Sequence, residues 1–208
     1  MKLVRALIVA SHPAPCVAVT AIATVLAAEA APPGFGAGRL VLVALAVLAG
    51  QLSVGWSNDA VDADRDTAAG RTDKPAATGQ IGARALWLGA GIAATATLTL
   101  AAALGPVSLA IDAAMTAVAW SYNLGLKSTV WSGACYAVAF GLLLSFAASA
   151  LPGAPLATWS VTLAAVGALG RGRLPFLAAI GIAGLDAVLV AAGVEALTAG
   201  PHVAGALG

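Results

Sequence analysis

Runs of about twenty apolar residues, separated by short polar or Gly-Pro segments, follow one another along this 208-residue chain. That spacing is the feature that most limits the fold. About twenty residues of helix cross the hydrocarbon core of a bilayer, and in lipid a helix satisfies every backbone polar group internally. The alternative, a soluble globule, fails on composition. The chain is 61% hydrophobic and 9% charged, where a soluble domain carries roughly 25% charged residues. A protein of this size has too little interior to hide so much apolar surface. The expected fold class is therefore an all-α, polytopic transmembrane bundle forming a single domain over 1–208. A net charge of +1 offers no footprint for nucleic acid, and no protein partner is implied.

Seven spans are predicted, at 14–31, 40–57, 83–104, 107–122, 129–149, 155–170 and 174–198. The third and fourth are joined by a tight turn at Gly105-Pro106. The first thirty or so residues start like a signal peptide, but the apolar run is long and further spans follow, so it reads as a retained first helix. Cys16 and Cys135 lie in apolar stretches far apart in sequence and read as buried small hydrophobes. Abundant Ala and Gly lets helix backbones approach closely.

Sorting Lys and Arg by alternate loops gives Lys2, Arg5, Arg65, Arg71, Lys74, Arg84, Lys127, Arg171 and Arg173 on one side and Arg39 alone on the other. Positive charge marks the cytosolic side. The N-terminus and the 58–82 loop are accordingly expected in the cytosol, the C-terminus outside, and the protein in the inner or plasma membrane.

Five acids fall within a short stretch: Asp59, Asp62, Asp64, Asp66 and Asp73. Asp59, Asp62 and Asp66 are spaced by three and then four, which on a helix places them on one face, with Asp64 elsewhere. The tract continues the second span directly. Three carboxylates on one face at a membrane boundary repel one another. A divalent cation resolves the conflict, and Mg²⁺ in particular takes one or two carboxylates and completes its shell with phosphate oxygens. The competing reading is a solvated acidic loop that balances nearby arginines.

At these residues the chain resembles the UbiA superfamily of intramembrane prenyltransferases. Its N-D-x-x-D-x-x-x-D signature is matched by Asn58, Asp59, Asp62 and Asp66. Asp73-Lys74-Pro75 through Gly79, His12-Pro13, and Tyr122-Asn123-Leu124-Gly125-Leu126-Lys127 are similar to further elements of that family. The resemblance covers about residues 5–165. It implies a nine-helix bundle around a cavity, transfer of a prenyl group from its diphosphate to an often aromatic acceptor, and Mg²⁺ as cofactor. By the same analogy Asn58, Asp59, Asp62 and Asp66 bind the Mg²⁺-diphosphate, the three aspartates being the catalytic set. Tyr122 and Lys127 steady the diphosphate, with Lys74 and Arg71 as further candidates. Lys127 at a helix end also fits a snorkelling side chain. Trp120 or Tyr122 could turn a π face to a carbocation, or belong to an interfacial belt.

The chain departs from the family in two respects. The place of a second Asp-rich motif holds Gly170-Arg171-Gly172-Arg173-Leu174-Pro175, and seven spans stand where the family has nine. A block missing near 170–174 accounts for both. Asp186, inside the last span, reads as a buried polar contact, and Glu195 as interfacial. Without the second motif, three carboxylates, one Mg²⁺ and a diphosphate sum to about −4. Weak diphosphate binding and reduced turnover are expected. Two other readings stay open: an inactive member of the fold that binds isoprenoid lipid, and a cation-coupled transporter. Neither acceptor identity nor prenyl length is legible.

Overall fold

The computed structural model describes residues 2–29, 31 and 36–151. The spans expected at 155–170 and 174–198, with Arg171, Arg173, Asp186, Glu195 and the presumed gap near 170–174, lie outside the described residues. Within them the chain is helical: α1 (Lys2–Ala10), α2 (Pro13–Glu29), α3 (Ala37–Ala68), α4 (Ala83–Leu104), α5 (Pro106–Leu124), a 3-10 turn (Leu126–Ser128) and α6 (Ser132–Ser149). The five earlier predicted spans fall on α2 to α6.

The N-terminus differs from the expectation of one continuous first helix. α1 is separate and meets α2 at 61°. Pro13 supplies the reason: it has no backbone N–H to continue a helix, and its ring bars the preceding residue from the α region. His12 accordingly takes φ +54°, a left-handed conformation that His adopts more readily than most residues.

α3 has 32 residues, about 48 Å at 1.5 Å per residue, against a hydrocarbon core of about 30 Å. Its polar last turns, carrying the aspartates, therefore extend past the apolar stretch. α3, α4 and α6 are long and apolar enough to cross a membrane, and the bent α1–α2 pair raises the number to four. α5 carries Asp112 and Ser108 among its apolar residues and is not among them. At the α4–α5 joint, Gly105 has φ +135° and Pro106 begins the next helix, the tight turn expected there.

α2, α3, α5 and α6 contact one another in a ring, and α4 packs behind against α3 and α5. At one end the ring is filled by Val43, Val47, Leu104, Leu143 and Phe146 among small alanines. Arg39, the lone cation at this end among the described residues, donates from Nε to the Ala150 carbonyl at 2.8 Å and from Nη2 to the Leu104 carbonyl at 2.6 Å. It thereby satisfies orphan carbonyls at the ends of α6 and α4, where no further helical N–H is available.

α3 and α5 run in the same direction. The buried Asn123 side chain donates from Nδ2 to the Val54 carbonyl at 2.9 Å and to Ser57 Oγ at 2.8 Å. Trp120 Nε1 donates to Ser53 Oγ at 3.0 Å. These bonds set the register that brings the end of α5 beside the aspartate tract.

Candidate active site

On α3 the three-then-four spacing acts as the helical period requires. Asp59, Asp62 and Asp66 are 1%, 7% and 7% exposed, whereas Asp64 and Arg65 face solvent. Beside them opens a cavity of about 870 Å³, bordered by α2, α3, α5 and α6. His12, Asn58, Asp62, Tyr122, Asn123 and Lys127 form its polar end. Val19, Val47, Met115, Phe140 and Leu143 line it and also pack on the apolar core, so the cavity ends there.

Two cation clamps hold the tract. Lys127 lies on the 3-10 turn, one helical turn beyond the Asn123 anchor. Its Nζ is 2.7 Å from each Asp62 carboxylate oxygen and 3.1 Å from Asn58 Oδ1, which accounts for its three N–H donors. Arg65 adds a contact of 2.9 Å to Asp62 Oδ2 from solvent. In the second clamp, Lys74 Nζ and His12 Nε2 meet Asp59 Oδ1 at 2.7 and 3.0 Å, and stand 3.2 Å from each other. Asp59 Oδ2 is buried with no hydrogen-bond partner among the described residues.

Gly55 makes the second clamp possible. A Cβ there would lie 2.7 Å from the Ser11 carbonyl oxygen, a separation that real contacts do not allow. The α1–α2 break therefore rests directly on the α3 backbone, one turn before Asp59, and His12 reaches the carboxylate from that seat. Trp56 Nε1, donating to the Leu7 carbonyl at 2.8 Å, fixes α1 in the same place.

Arg71 is set apart from these groups. Its guanidinium makes a two-pronged contact with Asp73, at 2.8 and 2.7 Å, in solvent. Those hydrogen bonds draw the Asp73 carboxyl down to about 2 and raise the Arg71 pKa.

Among the described residues no three of His, Cys, Asp and Glu stand close enough to form a metal-holding group. The donors nevertheless suit a hard cation. Asn58 Oδ1 and both Asp62 oxygens converge on a single positive charge, the Lys127 ammonium, and Asp59 keeps an unpaired buried oxygen nearby. All are oxygen ligands of the type that Mg²⁺ takes.

A family model described as the UbiA prenyltransferase family matches residues 16–174. The chain belongs to the UbiA prenyltransferase family. Two solved structures are similar to it. One, from work on digeranylgeranylglyceryl phosphate synthase in membranes, has a TM-score of 0.74 at 14% identity, covering 80% of this chain and 60% of the other. The second is a UbiA homolog from Archaeoglobus fulgidus bound to DMAPP and Mg²⁺, with a TM-score of 0.64 at 18% identity, covering 89% of this chain and 74% of the other. At these identities the likeness is one of fold. No curated protein matches. The chain thus spans 60% of the first of these structures. As a UbiA-family bundle of apolar helices, it is an integral membrane protein.

Of the residues singled out in this UbiA-family sequence, the structure gathers Asn58, Asp62, Tyr122 and Lys127 at the cavity. Asp59 and Lys74 pair beside it, and Asp66 is buried one turn further along α3. Trp120 does not line the cavity. It packs against Trp87, with ring centroids 5.9 Å apart. Sequence reasoning did not assign His12 a partner and passed over Asp112. The latter is wholly buried on α5, with Thr97 Oγ1 3.1 and 3.0 Å from its oxygens. An ionisable residue inside an apolar helix is itself the signal that would have found it.

Proposed function

We propose that this chain is a Mg²⁺-dependent intramembrane prenyltransferase, moving a prenyl group from a prenyl diphosphate to a lipophilic or aromatic acceptor. One observation carries the reading. A lysine, an asparagine and a buried aspartate meet at the mouth of a largely apolar cavity, Lys127 Nζ lying 2.7 Å from Asp62 and 3.1 Å from Asn58. Family membership and the fold shared with a DMAPP- and Mg²⁺-bound homolog support it. The loop charges favour a cytosolic aspartate tract in the inner or plasma membrane.

In this reading Asn58 and Asp62, with Asp59 and Asp66 beside them, would hold Mg²⁺, which would offset charge on the diphosphate. Lys127 donates N–H groups to the diphosphate oxygens by turning them from Asp62 and Asn58, and Tyr122 lines the same polar end. Lys74 holds Asp59 in place, and Arg71 meets the diphosphate only by leaving Asp73. The allylic C–O bond breaks with its electron pair leaving on the pyrophosphate, and the acceptor's nucleophilic atom bonds to C1 and loses a proton. The apolar wall, from Val47 to Phe140, keeps out water that would capture the cation.

The test is transfer of a labelled prenyl group to a panel of lipophilic acceptors by the full chain in nanodiscs. Mg²⁺-dependent product, abolished by Asp62→Ala, supports the proposal. Mg²⁺-dependent binding of a prenyl diphosphate without any product supports a non-catalytic, isoprenoid-binding member of the fold. That second reading is favoured by the absence of a three-acid group among the described residues and of a second Asp-rich motif in the sequence. Ion-coupled transport sites lie near midplane on broken helices, whereas these acids stand on the uninterrupted end of α3.

A further inference from the structure

Below the polar mouth, the cavity carries two uncharged polar side chains in otherwise apolar surroundings. Gln51 on α3 and Thr116 on α5 both line it. Neither side chain makes a hydrogen bond among the described residues. The register brings them to one level. Trp120 bonds Ser53 across 67 residues and Asn123 bonds Ser57 across 66, and α3 and α5 run parallel. The same offset sets Thr116 roughly level with residues 49 and 50, adjacent to Gln51. From Gln51 to Asn58 is about 10 Å along the helix axis.

Both side chains are half-buried in the cavity wall, so the amide and the hydroxyl are open to a ligand's polar atom. A prenyl tail has no polar atom to offer them. A ligand that reacts at the mouth and carries an oxygen at its far end does. Within about 10 Å there is room for an aromatic ring between the diphosphate end and Gln51. Among the described residues the basic groups lining the cavity, His12 and Lys127, are both at the mouth, so none of these residues at the level of Gln51 compensates a carboxylate.

We infer that Gln51 and Thr116 form the acceptor subsite, and that they select an aromatic acceptor whose distal substituent is a neutral hydroxyl or carbonyl oxygen over one bearing a carboxylate there. This inference rests on the proposed transferase reading and names its acceptor class.

Binding to the full chain in nanodiscs tests it, with a dihydroxynaphthalene, a monohydroxynaphthalene and a hydroxynaphthoate as probes and no prenyl diphosphate present. The expected result is a preference of about tenfold for the dihydroxy compound over both others, the effect of one or two hydrogen bonds to otherwise unpaired groups. Gln51→Leu abolishes that preference while leaving Mg²⁺-dependent binding of a prenyl thiolodiphosphate within about twofold. No preference in the wild type, or a preference retained in Gln51→Leu, overturns the inference. If Gln51→Leu loses both ligands through misfolding, the nearly isosteric Thr116→Val decides in the same way. The two proposals fail separately. Loss of diphosphate binding by the wild type with the naphthalene preference intact refutes the transferase reading alone.

Discussion

Lys127 and Asp62, 65 residues apart, meet so that the ammonium is 2.7 Å from both carboxylate oxygens, with each side chain almost wholly buried. The pair joins the end of α5 to the aspartate tract of α3 at the cavity mouth. It also binds the tract by a protein cation at the position where the proposed chemistry requires a ligand-borne charge.

Replacing Lys127 with Met separates these roles. Removing one partner of a buried pair costs roughly 3–5 kcal/mol when the other charge is stranded. Here Arg65 remains 2.9 Å from Asp62, so a loss of about 1–3 kcal/mol is expected. The expected thiolodiphosphate affinity is at least about tenfold lower. Thermal unfolding in detergent reads the first and calorimetric titration the second. Unchanged affinity would remove Lys127 from the substrate site.

Gly55→Ala acts on the other clamp. The new methyl group collides with the Ser11 carbonyl, 2.7 Å from its position, and backbone on backbone has little room to yield. A destabilisation of about 1–3 kcal/mol is expected, as for overpacked cores, together with release of His12 from Asp59. The His12 ring resonances report the second effect. A variant with wild-type stability and unaltered resonances would mean that the α1–α2 break does not rest on α3.

Arg39→Met tests the far end of the bundle. It leaves the Leu104 and Ala150 carbonyls without the guanidinium that reaches them at 2.6 and 2.8 Å. A loss of about 1–3 kcal/mol is expected from the orphaned acceptors. Thiolodiphosphate binding, at the opposite end, is expected to be unaffected. A drop in that affinity equal to the Lys127→Met effect would contradict the separation of the two ends.

The Arg71–Asp73 pair has a defined pH signature. Asp73 titrates at about 2 rather than its ordinary 3.8. A depressed carboxyl contributes stability above the ordinary value and loses it as pH falls toward the depressed one, so the loop contact is complete at neutral pH and disappears between about 4 and 2. Carbon-detected NMR of Asp73 should show a midpoint near about 2, returning toward 3.8 in Arg71→Ala. Because both groups are exposed, salt should produce part of the same shift. A midpoint at the ordinary value in the wild type would mean that Arg71 is free to serve the cavity.

The acidic tract illustrates how far a linear reading extends. Its three inward carboxylates, the outward Asp64, the helices over five spans and the Gly105-Pro106 turn all follow from contacts within a few residues. Helical period, apolar run length and the missing N–H of proline are local properties that any neighbourhood expresses in the same way.

Partner choice is not local. The sequence offers Lys127 for the diphosphate and Lys74 and Arg71 as further candidates, yet Lys74 reaches Asp59, Lys127 reaches Asp62, and Arg71 turns to Asp73 in solvent. The close seat at Gly55, the Asn123 anchor and the parallel register of α3 and α5 make that division. Each depends on backbones far apart in the chain being packed within a few ångströms. The amino-acid order by itself thus determined a membrane helix bundle bearing an acid face at one end. Only tertiary packing decided which cation meets which acid, and that the acid face borders a cavity.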